Sequence, residues 1–252
     1  MTPREVCIGS RRICVADDQP TFWDRVEVGR WEPGTLAVID RLVDGRTTFL
    51  DLGAWVGPTA LNAAHLARRV IAVEADPAAL DQLHRNLAVN PDLAPRIEVV
   101  PRAVHADEGH VTFGARRKPG DSMSSVLLAD ADHTWQAATI TPRQLADMLA
   151  PDERLVIKMD LEGGEYALLP SLGPLIDRAK AVVISFHPKI LAAAVGTGEA
   201  ARQTRAALSA LSRLRAHRII ATGAAAPSLA PLLTRWGLRR DLPCEDWLFT
   251  RR

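Results

Sequence analysis

From residue 46 onward, short runs rich in β-branched residues alternate with longer stretches of alanine and leucine that have a helical period. Such alternation is typical of successive strand–helix units, which pack as a parallel sheet between two layers of helices. The sequence therefore predicts a doubly wound α/β fold with a seven-stranded, mostly parallel sheet and helices on both faces. The predicted strands are Thr47–Leu52, Val70–Glu74, Arg96–Val100, Arg154–Asp160, Ala179–His187, His217–Thr222 and Glu245–Thr250.

Helices are predicted between these strands, and four of them begin at a proline. Proline suits the first turn of a helix because its missing N–H would have had no partner there. The predicted helices are Pro58–Ala67, Pro77–Val89, Pro142–Leu149, Gly163–Leu172, Glu199–Leu214 and Pro227–Trp236.

Residues 101–141 interrupt the alternation. Within them, His110–Phe113 and Ser122–Leu128 have the character of short extra strands or of an extended loop, and a crossover helix is not indicated. We therefore expect an insertion in this part of the chain.

The first 45 residues also differ from the alternating part. They include VCIGSRRICV at residues 6–15, a predicted hairpin with a Gly9-Ser10 turn, and continue through a tryptophan-rich stretch to a predicted helix at Pro33–Val43. We expect residues 1–45 to be an accessory segment that covers one edge of the site, and residues 46–252 to form the main domain.

Composition limits the partners of the chain. Charged residues make up 24% of it and the formal net charge is +1, so no general attraction for nucleic acid or for an anionic membrane is expected. A small substrate is therefore predicted. No apolar run has the length of a membrane helix or the form of a signal peptide, which favours a soluble cytoplasmic protein. The three cysteines, Cys7, Cys14 and Cys244, are widely spaced and are predicted to be reduced.

The run FLDLGAWVG at residues 49–57 predicts a ligand-binding loop. An apolar strand leads into Gly53 and Gly57, and a helix follows, which lets the backbone approach a ligand at the carboxyl edge of the sheet. A dinucleotide site would need a third glycine. Asp51 would also oppose a pyrophosphate by about 4 kcal/mol per charge pair at about 4 Å, whereas it suits an ammonium or sulfonium group. This chemistry favours S-adenosylmethionine, although turn-forming glycines and an ordinary strand-end aspartate remain an alternative.

The second predicted strand ends at Glu74. A carboxylate at this edge can accept hydrogen bonds from both hydroxyls of a ribose. Alternatively, its charge favours the start of the helix near Pro77. The combination of Glu74 with the first loop favours the ligand-binding interpretation.

The fourth predicted strand ends in a group of charged residues. In VIKMDLEGGEYALL, Val156, Lys158 and Asp160 share one face of the strand, and Ile157 and Met159 share the other. Charges so close to a sheet interior are costly unless they are paired or lie at its carboxyl edge. The reacting groups are therefore expected there.

Together these segments resemble the FkbM-type methyltransferases. The resemblance covers about residues 30–190 and rests on WEPGTL, FLDLGAWVG, AVEADP with Asn86 and Asn90, AVHADEGHVTFG, Ser124-Ser125, VIKMDLEGGEYALL and ISFHP. It implies a Rossmann-like class I methyltransferase fold and the cofactor S-adenosylmethionine. Trp55, where a small polar residue is common, and Pro58 depart from the family's pattern.

The resemblance also implies roles for particular residues. Asp160 is expected to lie beside the reacting methyl group as a catalytic residue that also contacts the cofactor. The other expected cofactor contacts are Asp51, Gly53, Ala54, Trp55, Gly57, Glu74, Ala75 and Ala103.

His187, at the end of the fifth predicted strand, is the candidate base. It can take a proton from a substrate hydroxyl, or it can simply satisfy backbone groups next to Pro188. Asp160 and His187 are too few ligands for a metal, and no required metal is predicted.

Several charged and aromatic residues have a structural interpretation beside the functional one. Glu162 and Glu165 can stabilise the first turn of a helix, and Lys158 is predicted to pair with one of them. The arginines of residues 199–218 are interpreted as a solvated helix face. Trp23, Trp31 and Trp135 can line a substrate pocket, but packing is expected for at least two of them.

The sequence thus predicts a methyltransferase that modifies a hydroxyl of a small metabolite, such as a sugar or a polyketide-like scaffold of secondary metabolism. The oxygen acceptor rests on the resemblance alone. A nicotinamide-dependent oxidoreductase and a non-catalytic binding protein remain alternatives, and a homo-oligomer is left open.

Overall fold

A computed structural model describes residues 3–220, 224–236 and 246–251 of the protein. Three sheets and ten helices occur within these ranges. The strands are β1 (Arg4–Ile8), β2 (Arg11–Val15), β3 (Thr47–Leu52), β4 (Arg69–Glu74), β5 (Ile97–Pro101), β6 (Ala103–Val104), β7 (His110–Ala115), β8 (His133–Ile140), β9 (Arg154–Met159), β10 (Ala179–Ser185), β11 (Arg215–Ile219), β12 (Ala225–Pro227) and β13 (Asp246–Thr250).

The helices surround the largest sheet. They are α1 (Pro20–Glu27), α2 (Pro33–Leu42), α3 (Pro58–Ala64), α4 (Pro77–Ala88), α5 (Pro142–Asp147), α6 (Glu165–Leu168), α7 (Gly173–Ile176), α8 (Pro188–Val195), α9 (Thr197–Ala210) and α10 (Ala230–Arg235). Within the described ranges, no helix combines the length and the apolar character that crossing a bilayer requires.

The main sheet confirms the predicted α/β architecture. Its order is β12-β11-β13-β10-β9-β3-β4-β5, with β5, β4, β3, β9 and β10 parallel and β13 antiparallel to both of its neighbours. The strand order reverses at β3, so its carboxyl end, between β4 and β9, is where a doubly wound sheet binds its ligand. The sheet has eight strands in the described ranges and not the predicted seven, because the short strand β12 was missed.

A hydrophobic core lies on each face of the main sheet. Successive residues of β9 point to opposite faces, as predicted: Val156 packs with helices α1 to α4, and Ile157 and Met159 pack with α5 to α9. Burial of these apolar side chains on both faces is what holds the sheet between its two helical layers. The strand ends that surround the site are therefore held rigidly.

Several predicted boundaries are wrong for identifiable reasons. Pro227 ends β12 instead of starting a helix, and α10 begins at Ala230 with Pro231 in its first turn. The helix predicted to reach Leu172 ends at Leu168, and a 3-10 turn follows, because Pro170 lacks the N–H that would continue it. Parts of the last two predicted strands, at 221–222 and 245, lie outside the described residues, as does Cys244.

The two segments outside the alternation have defined structures. The predicted hairpin is confirmed as β1 and β2, and its cysteines, Cys7 and Cys14, are free thiols. Asn90 accepts a hydrogen bond from the Cys14 amide, and Asn86 accepts one from the Ala16 amide, so Asn86 of α4 and Asn90, just after this helix, dock the hairpin. The insertion forms a second sheet of β6, β8 and β7.

Candidate active site

The first glycine loop closes against the neighbouring strand. Gly53 has a φ of +83°, and a Cβ added there would lie 2.0 Å from the backbone oxygen of Asp160. Only glycine permits this conformation and this approach. The close contact brings the ends of β3 and β9 together, so the loop and Asp160 form one continuous wall.

The carboxylate of Glu74 organises the loop. One of its oxygens accepts a hydrogen bond from the backbone N–H of Trp55 at 2.7 Å, and the other accepts from the N–H groups of Ala75 and Asp76 at 2.8 Å. Burial raises the pKa of Glu74, and these three backbone hydrogen bonds oppose the shift. Each carboxylate oxygen can accept more than one hydrogen bond, so the group can still bind hydroxyl donors.

The first of two adjoining cavities lies in front of this carboxylate and is named here the Glu74 cavity. It has a volume of about 220 Å³, and Val104 and Phe113 give it an apolar side. Of the predicted cofactor contacts, it is lined by Gly53, Trp55, Glu74, Ala75, Ala103 and Asp160. A carboxylate for a ribose, an apolar wall for an adenine ring and a second acid for a positive charge fit S-adenosylmethionine.

Three predicted cofactor contacts lie elsewhere. Ala54 lines the second cavity, and Gly57 packs against Leu83. Asp51 is fully buried and lines neither cavity, and its contact with the cofactor stays a prediction. Its carboxylate accepts a hydrogen bond from Thr59 and lies on the strand next to Lys158, behind the loop.

Lys158 pairs with different acids from those predicted. Its Nζ lies 3.4 Å from an oxygen of Asp160 and 3.9 Å from an oxygen of Asp51. Burial lowers its pKa, but Asp160, Asp51 and Glu32 outweigh the burial and raise it, so the amine stays charged. Parallel pairing of β3 with β9 sets Asp51 opposite Lys158, and this pairing explains the choice of partner.

The second cavity is larger and is named here the His187 cavity. It has a volume of about 890 Å³, and its floor includes Lys158, Asp160, Glu162 and His187. It shares Gly53, Trp55, Ser122, Asp160 and Glu162 with the Glu74 cavity. The two cavities therefore meet at one wall, which contains the predicted catalytic Asp160.

His187 is surrounded by carboxylates. Its Nδ1 lies 3.0 Å from an oxygen of Glu165, and its Nε2 lies 3.7 Å from oxygens of both Asp160 and Glu162. Burial lowers the pKa of His187, but the hydrogen bond and charge of Glu165, together with Asp160 and Glu162, raise it to about 10. The imidazole is thus protonated at neutral pH and then has no lone pair with which to accept a proton.

Glu162 has the opposite property. Burial raises its pKa to about 7, although the charge of His187 opposes the shift. A carboxyl group with a pKa near neutrality is suited to general-base catalysis. The sequence placed Glu162 in the first turn of a helix, but it lies before α6 with a φ of +48°, facing both cavities.

Asp160, Glu162 and His187 together are also a geometric candidate for a cation. One donor atom from each lies within 4.8 Å of the others. From the sequence, only Asp160 and His187 were candidate metal ligands, and the structure adds Glu162 as a third. The protonated imidazole can satisfy the same two carboxylates, so the donor set is compatible with both arrangements.

Glu32 is a site residue that the sequence did not reveal. It lines the His187 cavity, and its Oε2 is buried without a hydrogen-bond partner among the described residues. Burial raises its pKa to about 8, while Lys158 opposes the shift. Nothing in the pattern around Trp31 and Pro33 indicates that a carboxyl group would point inward.

Strained backbone is concentrated around the His187 cavity. Four non-glycine residues have a positive φ in the described part of the chain: Asp17, Glu32, Trp55 and Glu162. All except Asp17 line this cavity. Non-glycine residues in the left-handed region cost about 1 to 3 kcal/mol each and cluster at functional sites. This supports the wall shared by the two cavities as the reacting centre.

Trp55 connects the loop to the insertion. Its Nε1 donates a hydrogen bond to the backbone oxygen of Gly120 at 3.0 Å, and its ring packs edge-on against Phe22 at 4.5 Å. Of the other tryptophans, Trp31 lines the His187 cavity, whereas Trp23 is buried in the core and Trp135 stacks on Phe113. Packing roles for two of the three were predicted and are confirmed.

A family model described as the Methyltransferase FkbM domain matches residues 51–209. No curated protein matches the sequence significantly. The solved structure of methyltransferase FkbM from Methylobacillus flagellatus KT is 18% identical, with a TM-score of 0.50 over 82% of this chain and 44% of that one. The chain thus spans less than half of the length of that relative.

Two other solved structures are less similar. A putative methyltransferase from Streptococcus mutans, in complex with SAH, is 8% identical with a TM-score of 0.47, covering 86% of this chain and 96% of that one. An rRNA methylase from Streptococcus thermophilus is 10% identical with a TM-score of 0.42, covering 86% and 95%. The predicted exclusion of nucleic acid thus rests on composition alone.

Proposed function

The chain belongs to the FkbM methyltransferase family, and we propose that it transfers a methyl group from S-adenosylmethionine to a hydroxyl oxygen of a small metabolite. The observation that carries the proposal is the meeting of the two cavities at Asp160 and Glu162. One cavity fits the methyl donor and the other is open to an acceptor. Methyl transfer is an in-line displacement, so a site must hold its two reactants on opposite sides of one point.

The residues of the Glu74 cavity would hold the methyl donor. Glu74 would accept hydrogen bonds from the ribose hydroxyls, and Val104 and Phe113 would cover the adenine ring. The cofactor supplies an electrophilic methyl group on a positively charged sulfur. Asp160 would lie beside that charge, with its carboxylate oriented by Lys158.

The acceptor would enter the His187 cavity with its hydroxyl at the shared wall. Forming the new C–O bond breaks the C–S bond of the donor and releases the hydroxyl proton. We propose that Glu162, and not His187, takes this proton, because the pKa of Glu162 is about 7 and His187 is already protonated. His187 would then orient Glu162 and balance its charge.

The accessory segment has a role in this proposal. Phe22, Trp31 and Glu32 belong to residues 1–45 and line the His187 cavity. We propose that this segment covers the acceptor side, while residues 46–252 form the methyltransferase domain.

The proposal is tested by calorimetry and by product analysis. The wild-type protein is titrated with S-adenosylmethionine and with NAD, and is then incubated with a panel of hydroxylated sugars and polyketide-like compounds. We expect binding of S-adenosylmethionine alone, and S-adenosylhomocysteine together with a methyl ether when an acceptor fits. Methylation of a nitrogen or carbon atom in the product would contradict the oxygen acceptor.

A further inference from the structure

Three exposed cations surround the mouth of the His187 cavity. Arg25 lies in the last turn of α1, Arg116 directly follows β7, and Lys189 is in the first turn of α8. These elements are distant in sequence, so the fold brings the three charges to one opening. The net charge of the chain is only +1, and the cluster is therefore a local feature.

None of these cations forms an ion pair within the described ranges. Other arginines of the chain are neutralised: for example, Arg11 pairs with Asp40, and Arg85 pairs with Asp18. Arg116 makes only a weak contact, from its Nη1 to the sulfur of Met123 at 3.6 Å. Unpaired guanidinium and ammonium groups keep all of their hydrogen-bond donors available to a ligand.

The position of Lys189 is unfavourable for the helix that carries it. A cation in the first turn faces the positive end of the helix dipole, where an anion is preferred. Lys189 has no carboxylate partner in the described part of the chain to offset this repulsion. An anionic ligand at the cavity mouth would remove the conflict, since it would interact favourably with both the lysine and the helix end.

The cations of the cavity floor are already paired, unlike those of the mouth. Lys158 lies 3.4 Å from an oxygen of Asp160, and the protonated His187 lies among the carboxylates of Glu165, Asp160 and Glu162. An anionic group would therefore find unpaired positive charge at the mouth and not at the floor, so charge favours one direction of entry for such a ligand. The rings of Phe22 and Trp31, which also line this cavity, pack edge-on with centroids 5.3 Å apart and offer an apolar surface for a sugar ring.

We propose that Arg25, Arg116 and Lys189 form a phosphate subsite for the acceptor, whose hydroxyl end reaches Glu162. The inference rests on the proposed function and narrows its acceptor to a small phosphorylated hydroxyl compound. Phosphate matches the subsite better than a carboxylate because it has more charge and three acceptor oxygens for several donors. The subsite and the reacting centre would orient the acceptor from its two ends.

The test uses protein saturated with S-adenosylhomocysteine and pyrophosphate as the probe. Calorimetry should show saturable binding that weakens as salt is raised, because the contacts are exposed. The triple variant Arg25→Gln, Arg116→Gln, Lys189→Gln should bind pyrophosphate about tenfold more weakly, as expected for the loss of three exposed charge contacts. The matched control Arg205→Gln, which removes an exposed arginine of α9, should bind like the wild type.

Further arms of the experiment separate the alternatives. Malonate should bind more weakly than pyrophosphate, and tighter binding of malonate would contradict a phosphate subsite. If a short RNA oligonucleotide binds more tightly than pyrophosphate, and the triple variant loses this binding, the three cations form a nucleic-acid site instead. Equal binding of pyrophosphate by wild type and triple variant would overturn the subsite.

The same samples distinguish failure of the subsite from failure of the proposed function. Binding of S-adenosylmethionine is measured in each variant and should stay unchanged, since the three cations lie outside the Glu74 cavity. If the cofactor binds and pyrophosphate does not, only the subsite is wrong. If S-adenosylmethionine does not bind to the wild type, the proposed function itself fails. Thermal denaturation of the triple variant checks that it is folded.

Discussion

The two cavities share a wall but are built differently. The Glu74 cavity is lined by the ends of β3, β4 and β9 and by the insertion, and its Glu74 carboxylate is held by three backbone N–H groups. The His187 cavity is also lined by the insertion, but residues 1–45 and α8 contribute to it as well, and it contains strained backbone and, within the described ranges, cations without an ion pair. The difference indicates that the donor would be bound by a carboxylate fixed at the sheet edge, and the acceptor with the help of residues 1–45 and α8.

The largest expected effect separates proton transfer from donor binding. Glu162→Gln removes the proposed base and keeps the shape of the side chain, so turnover should fall by about 10²- to 10⁴-fold. The dissociation constant for S-adenosylmethionine should stay within about twofold of the wild-type value, since the charge of Glu162 at the shared wall is only one part of the donor site. Steady-state kinetics and calorimetry measure the two quantities.

The control for this variant is Glu199→Gln, which removes a surface carboxylate of α9 that pairs with Arg202. It should leave turnover unchanged. If Glu162→Gln retains full turnover with an acceptor, the assignment of the base is wrong.

The next effect concerns the donor site. Glu74→Ala removes the expected ribose contact and the acceptor that holds the loop amides, so the dissociation constant for S-adenosylmethionine should rise by about a hundredfold. Glu98→Gln, on the neighbouring strand β5, is the matched control because its exposed carboxylate pairs with Arg69 away from the cavity. Equal affinity of Glu74→Ala and wild type would show that the Glu74 cavity does not hold the donor.

The shared wall itself can be weakened at Gly53. Alanine there would be strained at a φ of +83° and would collide with the backbone of Asp160. We expect the free energy of unfolding to fall by about 2 to 3 kcal/mol, measured by denaturant titration. Gly173→Ala, which meets no atom within 4 Å, should be neutral or slightly stabilising. Similar losses at both positions would contradict the close approach of β3 and β9.

A pH profile sharpens the assignment of roles within the His187 cavity. Glu162 must be deprotonated to act, and its pKa is about 7, so turnover should fall about tenfold per unit as the pH drops below that value. It should level off above pH 7, because His187 stays protonated up to about pH 10. Glu162→Gln should lose this dependence, and an unchanged profile in that variant would assign the titration to another group.

The smallest expected effect is that of chelation. The charges of Asp160 and Glu162 can be balanced by protonated His187, so EDTA treatment should leave turnover unchanged. A loss that magnesium restores would show that the three groups hold a metal ion. Turnover before and after dialysis is the measurement.

The sequence predicted the sheet better than the cavity walls. Strand and helix periods are local properties, and they identified the ends of β3, β4 and β9 with Gly53, Glu74 and Asp160. Pairing between strands is not local, so Lys158 was assigned the wrong acids, and the burial of Asp51 beside Lys158 was not predicted. Its burial follows from the neighbouring strand, which the pattern of one strand does not reveal.

The cations of the cavity mouth were not predicted at all. The sequence singled out the arginines of residues 199–218, because they are concentrated in one short stretch of chain. In the structure this stretch divides between α9 and β11. Arg25, Arg116 and Lys189 are single charges in three separate segments. Only the packing of those segments brings the three charges together, so no local sequence pattern indicates the cluster.

The attachment of the insertion has a consequence for how such an enzyme diversifies. One oxygen of Asp76 accepts hydrogen bonds from the Gly120 amide and the Ser124 hydroxyl, and Ser125 donates to the backbone oxygen of Glu162. These side chains, together with Trp55, fasten the segment to the sheet. Because the insertion lines both cavities, an exchange of its sequence would change the acceptor wall alone only if it kept these anchors and the residues that face the donor. Acceptor specificity could then be redesigned within a single stretch of chain.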